Sequence, residues 1–93
     1  MRIRVRRTGG FAGIERVAEV DTGGRPDARE WHALAAQAMR DGRGMPAAGV
    51  PDGFRYELTV EDGESEPETV QCADPRLSDA QRKLITRVLK EGA

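Results

Sequence analysis

The sequence predicts an α+β fold: a four-stranded, mostly antiparallel sheet with two helices packed on one face, in the order ββαββα. Three observations carry this. Apolar residues alternate with period two in four short segments, which marks half-buried strands. Two other segments repeat apolar residues at three- and four-residue spacing, which marks amphipathic helices. Clusters of Gly, Pro and Asp separate the segments and supply the turns.

The first strand begins at the N-terminus, where Met1, Ile3 and Val5 alternate with Arg2, Arg4 and Arg6. Thr8-Gly9-Gly10-Phe11-Ala12-Gly13 follows as a loop tolerant of positive φ. A second strand runs from Ile14 to Val20, with Ile14, Arg16, Ala18 and Val20 on one face and Glu15, Val17 and Glu19 on the other, an imperfect alternation. A Gly-rich connection between two strands reads as a β-hairpin.

Asp21-Thr22-Gly23-Gly24 breaks that strand, and Pro26, Asp27 and Glu30 suit a helix start. Trp31, Leu34, Ala35, Ala38 and Met39 form the apolar stripe of a helix over 26–40, with Gly42 available as a left-handed cap. Residues 42–53 hold four Gly and two Pro and read as a loop.

The third strand is the cleanest: Phe54, Tyr56, Leu58 and Val60 alternate with Arg55, Glu57 and Thr59. Asp62-Gly63 turns the chain, and Thr69-Val70-Gln71-Cys72 makes a fourth strand with Val70 and Cys72 inward. Ser78 with Gln81 forms a capping box for the last helix. Leu77 is placed to staple its start, Ala80, Leu84, Ile85, Val88 and Leu89 form its stripe, and Gly92 ends it.

Ninety-three residues fit a single domain, 1–93, with one thin core. The content is 38% hydrophobic and 33% charged, ordinary for a folded chain. A net charge of −1 disfavours a dedicated nucleic-acid binder. Charge is nevertheless uneven. Residues 1–16 set Arg2, Arg4, Arg6, Arg7 and Arg16 against Glu15 alone, whereas residues 54–79 set eight acidic side chains against Arg55 and Arg76. Two solvated strand faces attracting each other within the sheet account for this. The alternative is a regulatory or assembly module that forms a weak homodimer through the same strands; otherwise the chain is a monomer. No apolar run has the length of a signal peptide or a bilayer span, so a cytoplasmic, membrane-free location is expected.

Nothing in the sequence resembles catalytic machinery, and no enzyme activity, cofactor or metal is expected. His32 is the one histidine and reads as a surface or boundary residue. Cys72, the one cysteine, reads as a small core residue and excludes an internal disulfide. The acidic residues of 57–68 alternate along a strand and its turn and so face solvent. Gly9-Gly10-x-x-Gly13 is not a dinucleotide fingerprint, because a strand rather than a helix follows it.

Phe11 stands apart, since a hairpin tip is normally polar. Its ring either folds back onto the sheet edge or stands out as an aromatic anchor on a bare-backbone finger. Such a finger enters a cleft readily, because glycine lets the backbone approach closely and one ring fills a pocket.

The segment RRTGGFAGIER at residues 6–16 resembles the N-terminal signature of the emfourin family, small bacterial inhibitors of protealysin and related thermolysin-like metalloproteases. Thr8, Gly9, Gly10, Phe11, Ala12 and Gly13 stand at the loop of that signature, and Phe54-Arg55-Tyr56-Glu57-Leu58 at its third strand. The resemblance implies a non-enzymatic protease inhibitor whose partner is a thermolysin-like metalloprotease. It makes Arg7, Thr8, Gly9, Gly10, Phe11, Ala12 and Gly13 the expected partner-binding residues. Phe11, or else Ile14, is then expected in the apolar S1′ pocket of such a protease, with Arg6 and Arg7 facing acidic groups on the cleft rim.

Overall fold

The computed structural model describes residues 1–10, 13–43 and 53–93. Phe11, Ala12 and most of the 42–53 loop therefore lie outside the described residues. The elements are β1 (Arg2–Gly9), β2 (Arg16–Asp21), α1 (Ala28–Gly42), β3 (Phe54–Glu61), β4 (Glu68–Ala73) and α2 (Asp79–Glu91). The strands form one antiparallel sheet in the order β2-β1-β3-β4. The predicted α+β class and element order hold, as does the alternation within the observed strands, with β2 starting at Arg16 rather than Ile14.

Period two sorts each strand into a core face and an open face. Ile3, Val5, Ala18, Val20, Tyr56, Leu58, Val70 and Cys72 face the helices and are buried. Arg2, Arg4, Arg6, Val17, Glu19 and Arg55 are exposed. The helices cover the core face with Trp31, Ala35, Ala38, Met39, Leu84, Ile85 and Val88. Trp31 is fully buried and fills the most volume.

Arg87 meets Asp27 at one end of the helix pair and Gln81 meets the Ala38 carbonyl at the other, so the helices run antiparallel. Close approach at the second end explains Gly42. It is the buried last residue of α1 rather than a left-handed cap, and the cap position falls to Arg43 in extended geometry. A Cβ on Gly42 would lie 2.7 Å from Val70 Cγ2 and 2.9 Å from Val70 Cβ. Glycine stands there because β4 leaves no room for a side chain.

At the other end, Asp27 precedes α1 without capping it through its side chain. Its carboxylate instead accepts from Arg25 Nε at 3.0 Å, Arg87 Nη2 at 3.0 Å and Trp31 Nε1 at 3.1 Å. The two guanidinium groups also lie over the indole, 5.4 Å and 4.2 Å from its centroid. A buried indole N–H needs an acceptor, and Asp27 supplies it. The capping box of α2 forms as predicted: Ser78 Oγ accepts from Gln81 N, and Gln81 Oε1 accepts from Ser78 N.

One polar side chain is buried that the alternation did not single out. Thr22 donates its hydroxyl to the Met1 carbonyl at 3.1 Å and accepts from His32 Nε2 at 3.0 Å. These bonds tie the β2–α1 connection to the N-terminus, and His32 is exposed, within the surface or boundary placement expected of it.

Candidate functional site

The β1–β2 connection is longer and better supported than a short hairpin loop. β2 begins at Arg16 rather than Ile14, and its pairing with β1 stops at Arg7↔Arg16. β1 does not stop there. It continues against β3 through Thr8↔Arg55 and Gly9↔Phe54. Gly10 N then donates to the Gly53 carbonyl at 3.2 Å. The first half of the glycine loop is thus an extension of the central strand, backed by β3, while the β2 side is open.

Gly9, Gly10 and Gly13 have φ of +82°, +74° and +65°. Gly10 needs glycine twice over. Its φ is costly for any side-chain-bearing residue, and a Cβ there would lie 2.4 Å from Phe54 Cε1. Gly13 N donates to the Gly10 carbonyl at 3.3 Å, which holds the two flanks of the tip together. Gly13 itself is exposed, with nothing within 4 Å of an added Cβ.

Phe54 is the hub of this end of the sheet. Its ring lies 4.5 Å below the Arg7 guanidinium and 6.3 Å from the Tyr56 ring. Its carbonyl accepts from Asp74 N at 3.0 Å. Arg7 is half-buried on the core side, and its Nε is buried without a hydrogen-bond partner among the described residues. Tyr56 reaches the Asp74 carboxylate over a long 3.4 Å contact. Burial pushes the Tyr56 hydroxyl pKa upward, with Asp74 adding to the effect.

The expected partner-binding residues therefore divide. Thr8, Gly9 and Gly10 are brought together on the β3-backed arm, and Gly13 closes the far flank. Arg7 packs inward on Phe54 instead of projecting from the tip. Phe11 and Ala12 lie outside the described residues. Arg6, on the open face, is paired to Glu15 at 3.1 Å and stands opposite Glu57 in the register. Arg2 stands opposite Glu61 and lies 3.9 Å from Glu19. These exposed pairs balance charge within the sheet and individually stabilise it little.

Two large apolar residues are exposed among the described residues: Ile14 at 68%, next to the loop, and Val17 at 47%, on the open face of β2. Ile14 directly follows Gly13. It is the second candidate, after Phe11, for the apolar pocket that the family resemblance implies. The missing signal was Phe54, whose role depends on its register with Gly9 and appears only once β3 is docked.

Among the described residues, no group of three or more His, Cys, Asp or Glu side chains is arranged to hold a metal. No described helix is long and apolar enough to cross a membrane. The family model described as Emfourin matches residues 5–89, nearly the whole chain and both flanks of the glycine loop. No curated protein and no solved structure matches the chain.

Proposed function

The chain belongs to the Emfourin family, which implies a protease-inhibitor role, and on that premise we propose that it inhibits a thermolysin-like metalloprotease of the protealysin type by occluding the active-site cleft with loop 8–13. The observation that carries this reading is the loop itself. A bare glycine backbone leaves the central strand on a β3-backed arm, with Ile14 standing 68% exposed beside it. An arm held by strand pairing loses little freedom on docking, so more of the contact energy appears as affinity. Gly9 and Gly10 offer backbone without side chains to the cleft wall. An apolar side chain at the tip, Phe11 or Ile14, fills the S1′ pocket. The Thr8 hydroxyl or a loop carbonyl approaches the protease's metal, and blockage is by exclusion of substrate.

The test is a titration of a thermolysin-like protease with this protein. Loss of activity that saturates near equimolar protein, followed by recovery of the intact chain, supports the reading. Full activity at a large molar excess, or progressive cleavage within 8–15, refutes it.

A further inference from the structure

We propose that Phe54 is a positioning residue for the inhibitory loop: its ring, packed against the Arg7 guanidinium and the Gly10 backbone, fixes the direction in which the loop leaves the sheet before any protease arrives. This role rests on the inhibitory reading above.

Phe54 pairs with Gly9 across the two central strands, and an aromatic ring opposite a strand glycine covers backbone that has no side chain of its own. The fit is close. The space a Gly10 side chain would need is already taken by Cε1, Cδ1 and Cζ of the ring, at 2.4, 3.0 and 3.0 Å. The residue preceding Phe54 supplies the carbonyl that accepts from Gly10 N. Arg7 stacks on the ring at 4.5 Å, and its own Nε is buried without a hydrogen bond among the described residues. An unsatisfied guanidinium N–H is costly, and stacking on Phe54 offsets part of that cost. Bare glycine backbone is otherwise the most freely moving kind of chain. Here it is pinned on one side by a hydrogen bond and on the other by a ring.

Phe54 touches no protease atom in this account. It acts through Gly9 and Gly10. Phe54→Leu keeps an apolar side chain but removes the ring, and Phe54→Tyr restores it. A stability control comes from Val60→Ala, which removes a partly buried side chain from the far end of the same strand.

Two measurements test the role on the intact chain. The first is hydrogen exchange at the Gly10 amide in the free protein, which needs no protease. Phe54→Leu should lose much of the protection that the bond to Gly53 confers, while Phe54→Tyr and Val60→Ala retain it. The second is the inhibition constant against the thermolysin-like protease. Phe54→Leu should raise it about tenfold, the cost of ordering one or two loop residues at docking, chiefly through slower association. Phe54→Tyr should restore it, and Val60→Ala should leave it unchanged despite a comparable loss of thermal stability.

Wild-type protein that leaves the protease fully active overturns the inhibitory reading and this role with it. Wild-type inhibition with an unchanged Phe54→Leu constant overturns this role alone. So does a Val60→Ala constant that rises as far as that of Phe54→Leu. If Phe54→Leu shows no cooperative melt, Phe54→Tyr decides: weaker inhibition with Gly10 still protected, or an unprotected Gly10 with wild-type inhibition, overturns the role.

Discussion

Replacing Ile14 by alanine separates contact with a partner from contact within the fold. Ile14 is 68% exposed in the free chain, so its truncation removes little that holds the fold together. Surface changes of this kind move stability by less than about 0.5 kcal/mol. In a protease cleft the same side chain would be desolvated. Fully burying an isoleucine contributes about 1.5–3 kcal/mol, and two-thirds of that, about 1–2 kcal/mol, is still uncollected in the free protein. Alanine should therefore weaken inhibition by about 5- to 30-fold while leaving the melting temperature in place. Phe11→Ala is the companion variant. A ring that anchors the loop should lose at least about 2 kcal/mol of affinity on truncation with the fold intact. A ring that packs on the sheet edge should instead lower thermal stability. The assay is a steady-state titration of a thermolysin-like protease with each variant, alongside thermal melts. Two folded variants with wild-type inhibition constants would refute the claim that this loop is the contact surface.

Three further expectations concern the frame that carries the loop. Gly42→Ala should destabilise the protein: helix propensity favours alanine by about 1 kcal/mol, but a Cβ set 2.7 Å from the stiff Val70 side chain costs about 1–3 kcal/mol of overpacking. A higher denaturant midpoint for Gly42→Ala would show that β4 yields freely, and Val70→Ala in the same chain should relieve the cost. Asp27 is held below the usual carboxylate value of 3.8, first by its hydrogen bond to Arg25. The unfolded chain then takes up that proton at higher pH than the folded one, so the stabilisation is complete above pH 3.8 and is lost as pH falls through the depressed folded value. Thermal melts across this window should fall less steeply for Asp27→Asn; equal slopes would remove Asp27 from the account. Burial pushes the Cys72 thiol to about 11. Alkylation at pH 8 should be slow in the native chain and fast in denaturant, as followed by mass spectrometry.

Local chemistry made most of the architecture legible. Period two in Ile3–Val5, in Tyr56–Leu58 and in Val70–Cys72 fixes which strand faces are buried, and no tertiary contact reverses it. Ser78 and Gln81 cap α2 because both partners lie within one turn. What the sequence left out shares a cause. Gly42 has the composition of a cap, yet its role is set by Val70, 28 positions away and on another element. Asp27 stands at the N-cap of α1, where an acidic residue suits the helix dipole, and its carboxylate also answers Trp31 and Arg87, which spacing alone does not show. Ile14 follows the alternation of β2, but pairing ends before it. Each depends on register or docking, which composition and spacing do not encode.

The same division explains what the candidate site needed. Glycine at 9, 10 and 13 announces unusual backbone, and that was visible at once. A run of glycine is also the most expensive backbone to order, so a loop built from it would normally bind weakly. The fold meets this cost before docking. β3 runs past the end of β2, so Thr8 and Gly9 are still strand, and Gly53 and Phe54 hold Gly10. Side chains behind the loop and side chains on it should then leave different kinetic marks. Changes at Phe54 loosen the free state and slow association. Changes at Ile14 remove area that is buried only in the complex, and so hasten dissociation. A rise in dissociation rate for Phe54→Leu equal to that for Ile14→Ala would place the ring in the contact itself and undo the separation.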